Sequence, residues 1–236
     1  MPPVFHDNHL MRFVPLIPSH LAPGPWQSFG AVELLWTGSA HPQWTPPAAA
    51  PEVHALHLPA LPWDDALGEL ALAALRPRLG MDFLVIPAQV PADRLTQSRF
   101  LSVLEGLLEV TQGLGVKLAL RPGPGSAPGL ARLLKEARGE AVGFCWDAGV
   151  AGDLDCLSDR LFCAVGAPAD DFSGLQRLGY RWNAALPAAD PVTFRAIALG
   201  LEAAFPAVWF PAELPATDPV PAVTLGRTLT QPKERP

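Results

Sequence analysis

Apolar residues in this chain come in short runs, each followed by a turn signal. Runs at 12–18, 31–36, 53–58, 82–86, 116–120, 141–146, 161–165 and 207–210 have strand length and are apolar almost throughout. A strand with one wet face alternates, whereas a strand covered on both faces does not, so the pattern predicts a parallel sheet. Eight such runs are the number a closed parallel barrel needs. Helical spacing fills several of the gaps. Residues 63–79 carry Leu67, Leu70 and Leu75 behind Asp64 and Asp65, and residues 98–114 carry Phe100, Leu101, Leu104, Leu107, Leu108 and Thr111 with Gly115 to close them. The segment 128–138 opens on a proline, and 190–205 opens on Asp190 and Pro191, an N-cap followed by a first-turn proline.

The first two crossovers break the pattern. Residues 23–29 are too few for a full helix, and 38–52 are rich in proline and alanine without helical period. The expected fold is therefore a (β/α)8 barrel with shortened or missing early helices. It is expected as one domain over residues 1–230, with 231–236 as a disordered tail. Missing outer helices would leave the apolar backs of the first three strands bare. Either the 38–52 segment, with Trp44, or a second copy of the chain must cover them, and a homo-oligomer joined through this side is the expectation.

Composition narrows the function. The chain has 236 residues, 49% of them hydrophobic, and a net charge of −6. It holds no apolar run of membrane-spanning length and no basic region followed by an apolar stretch at its start, so the expected setting is the cytoplasm, away from membranes. Lysine and arginine are scattered, which speaks against a nucleic-acid partner. The three cysteines, Cys145, Cys156 and Cys163, make no Cys-x-x-Cys pair. Cys145 and Cys163 fall on strands expected to be neighbours, and they are read as buried thiols.

The most informative stretch is the apolar run through Phe144, Cys145 and Trp146 that ends in Asp147 and the small turn Ala148, Gly149. A buried parallel strand delivers one carboxylate to a barrel mouth in this way. The stretch resembles the Asp-x-x-His motif of the xylose isomerase-like barrels, a family of sugar epimerases and type IV endonucleases whose members hold a divalent metal at that mouth. Ala31, Val32, Glu33 and Leu34 are similar to that family's second strand. Val208, Trp209, Phe210, Pro211, Ala212 and Glu213 are similar to its last strand and closing glutamate. The metal-binding positions depart from the pattern. Val150 stands in place of the motif's histidine, Arg121 and Pro122 replace the first metal glutamate and its neighbour, and the run 161–165 carries no histidine. All six histidines lie in the first quarter of the chain, so no later strand can supply one.

The resemblance implies a relative of sugar phosphate isomerases and epimerases that acts on or binds a small sugar-like molecule, with no metal and no cofactor. Glu33, Asp147 and Glu213 are the expected acid–base residues. His20, His57, Arg121 and Trp182 are the expected substrate contacts, Trp182 as one of seven tryptophans able to stack on a sugar ring. Arg121 is further expected to bridge Asp147 or Glu213, supplying the charge a metal would have supplied. The alternative is a barrel without catalysis that serves as a ligand-binding or assembly module.

Overall fold

The computed structural model describes residues 11–44, 51–136, 140–150, 154–180 and 182–205. Eight parallel strands close into a barrel in chain order, β1 (Arg12–Pro18), β2 (Ala31–Leu35), β3 (Glu52–His57), β4 (Phe83–Ala88), β5 (Lys117–Pro122), β6 (Val142–Asp147), β7 (Leu161–Val165) and β8 (Asn183–Pro187). The first seven fall on the apolar runs. The eighth does not: β8 pairs β1 from Arg12↔Asn183 to Leu16↔Pro187 and completes the ring. Residues 207–210, expected to be the closing strand, lie outside the described residues, and the barrel closes ahead of them. The core of β8 is only Ala184, Ala185 and Leu186, so its apolar signal is too short to register.

Helices pack on the outside wherever the sequence carries a helical period. They are α1 (Asp65–Leu75), α2 (Arg94–Gly113), α3 (Ala127–Glu136), the short α4 (Leu154–Leu157) and α5 (Ser173–Arg177), and α6 (Pro191–Ala204). Their starts follow capping chemistry. Asp93 accepts from the Thr96 amide in a capping box, and Asp190 accepts from the amides of Val192 and Thr193 with Pro191 in the first turn. These backbone bonds hold both carboxyls below the usual carboxylate range.

Between β1 and β3 the outer layer holds, among the described residues, two short 3-10 helices, Gly24–Phe29 and Pro42–Trp44. Each plants a tryptophan. Trp26 packs on Phe29, which meets Phe194 of α6 edge-on, and the Trp44 indole N–H donates to the Leu21 carbonyl at 2.7 Å. Both rings are buried, as are Ile17, Val32, Leu34 and Leu56 on the backs of these strands. The chain thus covers this side itself, which removes the reason for expecting self-association through it. Trp44→Ala should cost about 3–5 kcal/mol, because the void opens directly onto the strands. It should also make the protein associate with rising concentration. Denaturant titration and sedimentation of the variant check both effects.

The barrel interior is narrow and small-sided, with Val14, Ala55, Val85, Ala119, Cys145, Cys163 and Ala185 at its centre. At its N-terminal end Phe83 stacks on Phe162 with ring centroids 5.4 Å apart, and the Lys117 ammonium sits 5.4 Å over the Phe162 ring. Gly143 makes room for this plug: a Cβ there would lie 2.7 Å from the Phe162 ring and 2.4 Å from the Arg160 carbonyl. His54 belongs to the same end, held by Asp82 at 3.0 Å with its ring edge-on to Phe83.

Candidate active site at the barrel mouth

Strand alternation sends one residue in two toward the barrel axis, and the last inward residues of a parallel barrel line its C-terminal mouth. There the loops after β3, β4, β5 and β6 enclose a cavity of about 530 Å³. Trp63, Pro87, Gln89, Phe100, Arg121 and Asp147 line it, with Arg99 of α2 and Asp64 at the rim. The aromatic wall is fixed, since the Trp63 indole N–H donates to the Pro87 carbonyl at 3.1 Å and its ring lies 4.1 Å from that of Phe100. The polar wall is fixed too. Gln89 Oε1 accepts from the Ser126 hydroxyl at 2.6 Å, and the Gly123 amide donates to the Ala88 carbonyl at 3.0 Å. Gly123 lets the Gln89 amide lie against the backbone, where a Cβ would sit 1.8 Å from its nitrogen.

Arg121 and Asp147 reach this one cavity from neighbouring strands, as their places at the ends of β5 and β6 require. They do not bridge. Among the described residues Arg121 makes no ion pair and no hydrogen bond, and Asp147 Oδ1 instead accepts from the Gly149 amide at 3.0 Å. The turn after the strand thus caps the carboxylate from its own backbone. The arginine is left half-buried on the cavity, without an ion-pair partner among the described residues.

Glu33 and His57 meet each other instead of the cavity. His57 Nε2 lies 2.5 Å from Glu33 Oε2, and both side chains are fully buried. A shift in register between Val32 and Glu33 sets Glu33 opposite Ala55 and puts His57 one step further toward the mouth. Glu33 Oε1 and His57 Nδ1 are also buried and have no hydrogen-bond partner. The two residues expected to work on substrate are therefore closed off beneath the mouth as a pair. Each gives the other one partner in a layer where both side chains are fully buried.

The remaining candidates scatter. His20 is exposed on the loop after β1, with Nδ1 2.9 Å from the Thr37 hydroxyl, which is in turn 3.1 Å from the buried Ser19 hydroxyl. It stands at the mouth end but does not line the cavity. Trp182 precedes β8, and its carbonyl accepts from the Arg12 amide at the start of β1. This exposed residue therefore lies at the N-terminal end of the barrel, opposite the mouth cavity. Glu213 lies outside the described residues. The cavity residues that the sequence reading missed are Trp63, Gln89, Arg99 and Phe100. Each sits on a helix or loop whose local pattern says only that it packs or caps, and it is the barrel closure that brings them together.

The donor set does not suit the divalent metal of the resembled barrels. Arg121 brings a permanent positive charge to the cavity, and the Val150 side chain beside it has no donor atom. The Asp147 carboxylate is partly spent on the Gly149 amide, and Glu33 is held by His57. Among the described residues no group of three or more His, Cys, Asp and Glu side chains is placed to hold a metal ion.

No family model matches the chain, and no curated protein is similar to it in sequence. Solved structures are similar to it in shape. A xylose isomerase domain protein from Planctomyces limnophilus superposes with a TM-score of 0.62, covering 83% of this chain and 97% of that one at 13% identity. A D-tagatose 3-epimerase-like protein gives a TM-score of 0.62 over 82% and 96% at 14% identity. An AP endonuclease of family 2 from Brucella melitensis gives 0.58 over 83% and 99% at 15% identity. The chain thus has the fold of the xylose isomerase-like TIM barrels, closed from β1 to β8.

Proposed function

We propose that this barrel binds a small sugar-like molecule bearing an anionic group in the mouth cavity, and that it does so without a divalent metal. The observation that carries the reading is the presence, in one cavity, of a guanidinium unbridged among the described residues and a fixed aromatic face. Arg121 offers forked donors to a phosphate or carboxylate, with Arg99 at the rim. Trp63 and Phe100 offer the apolar face on which a sugar ring stacks. The volume suits a ligand of a few rings or fewer. The sugar epimerases that share the fold supply the ligand class by analogy of fold.

The chemistry available to such a ligand is narrow. With Glu33 and His57 occluded, Asp147 is the carboxylate from a strand end that reaches the cavity, and Arg121 is the group able to stabilise an enediolate. This supports a one-base proton transfer next to a carbonyl. A binding module without catalysis is the second reading, favoured by the Gly149 amide already occupying Asp147 Oδ1.

Calorimetric titration in chelator should give saturable binding for hexose or pentose monophosphates and at least 10-fold weaker binding for the same sugars without phosphate. Proton NMR in heavy water then separates the two readings. Enzyme-dependent exchange of the hydrogen next to the carbonyl, lost in Asp147→Asn, supports the one-base transfer, and binding without exchange supports the module. Binding that appears only with added divalent metal, or no saturable binding to the folded protein, would reject the proposal.

A further inference from the structure

Cys145 and Cys163 are Cα partners on β6 and β7, and both are buried in the central layer of the barrel. Adjacent strands run 4.7–4.9 Å apart, within the Cα separations that a disulfide spans. Two features bear on how the side chains are aimed. Inward side chains of a closed barrel converge toward its axis, and the register shifts between Phe144 and Cys145, which re-aims the cysteine. Burial, with the neighbouring Cys145 beside it, pushes the Cys163 thiol well above its usual range. Their neighbours Ala55, Ala119 and Ala185 are too small to wedge them apart.

We propose that Cys145 and Cys163 form a redox-modification site, closing reversibly into a disulfide that ties β6 to β7 inside the barrel. Burial selects the oxidant. A bulky disulfide cannot reach either sulfur in the folded protein, whereas hydrogen peroxide is small and uncharged. One thiolate attacks peroxide, the O–O bond breaks, and a sulfenic acid forms with release of water once the departing hydroxide takes a proton. The second sulfur then attacks the sulfenic sulfur and expels a second water. Two thiols and one peroxide thus give one disulfide and two waters. The raised pKa of the Cys163 thiol makes this step slow, since only the thiolate attacks. The bridge lies in a wall with short outer helices, where β7 is flanked by α4 of four residues and α5 of five. It would fix β6, the strand that carries Asp147, to its neighbour.

The experiment uses the full chain with Cys156→Ser, so that these two are its only cysteines. Reduced protein is exposed to hydrogen peroxide while folded and mapped by mass spectrometry. Expected are a linked peptide joining Cys145 to Cys163, reversal by dithiothreitol, and a melting temperature raised by about 5–10 °C, the size a loop of about 18 residues implies. Independent oxidation of the two sulfurs to sulfinic acids would overturn the proposal. An equilibrium arm removes the question of access. The reduced chain is refolded from urea in glutathione buffers of graded ratio. The folded chain should stay bridged at ratios that fully reduce the same cysteines in urea, because a bond that stabilises the fold is stabilised by it. A folded chain less readily bridged than the unfolded one, with Cys145→Ser and Cys163→Ser melting like the parent, would likewise overturn it.

Discussion

His57→Ala should destabilise the protein by about 3–5 kcal/mol, among the largest effects of any single change at the candidate site. The substitution leaves Glu33 fully buried with neither carboxylate oxygen partnered, since Oε1 already lacks one and Oε2 loses His57. Solvent cannot relieve it, because both side chains have no exposed surface. Glu33→Ala should be similarly costly for the mirror reason, as the His57 ring would keep two polar nitrogens in an apolar layer. The double replacement Glu33→Leu with His57→Leu removes both polar groups at once. It should therefore recover most of the loss, since a buried ion pair replaced by apolar side chains of comparable volume is often neutral. Urea titrations of the two single variants and the double variant form the cycle. A double variant at least as unstable as the sum of the singles would mean that the interior needs the pair itself. Single variants within 1 kcal/mol of the parent would mean that the pair is not closed off from water.

The same pair shows where sequence reasoning stopped. Glu33 and His57 are visible as polar interruptions of apolar strands, and such interruptions at strand ends point toward a mouth. Whether they open to it depends on a half-step of register between β2 and β3, and the shift at Val32 and Glu33 leaves no mark in composition or periodicity. Asp147 and Arg121 were legible for a physical reason. Each follows directly on a mainly apolar run of strand length, which puts it at the rim. Of the two carboxylates expected to meet Arg121, Asp147 turns to the Gly149 amide two residues on, and Glu213 lies outside the described residues. Seven strands could be read from their apolar runs, and β8 could not, because alanine carries little signal. The fold class survived that miss, since barrel closure needs the strand wherever the chain can provide it. Trp182 is a different case: a tryptophan beside a strand says nothing of which end it guards until that strand's direction and start are known.

Arg121→Glu should abolish the preference for phosphorylated sugars while leaving the fold nearly untouched. The guanidinium forms no ion pair among the described residues, so its loss strands no buried partner, and the stability change should stay within about 1 kcal/mol. Affinity is another matter. A hydrogen bond to a charged group is worth about 1.5–3 kcal/mol, so removing it should weaken binding of a sugar monophosphate roughly 10- to 100-fold. The new carboxylate adds repulsion to that loss, because Asp147 lies on the same cavity. Arg121→Met isolates the two contributions: it deletes the cation without adding an anion and keeps much of the apolar stem. The expected order of affinity for a sugar monophosphate is parent, then Arg121→Met, then Arg121→Glu, and unphosphorylated sugars should bind all three alike. Arg121→Lys should fall between parent and Met, since it keeps the charge and loses the fork. Calorimetry on the four proteins, with denaturant melts in chelator beside it, decides the matter. Equal affinities across the series would remove Arg121 from the ligand site. A melt that drops by several kcal/mol in Arg121→Met would show that the guanidinium holds the barrel rather than a ligand.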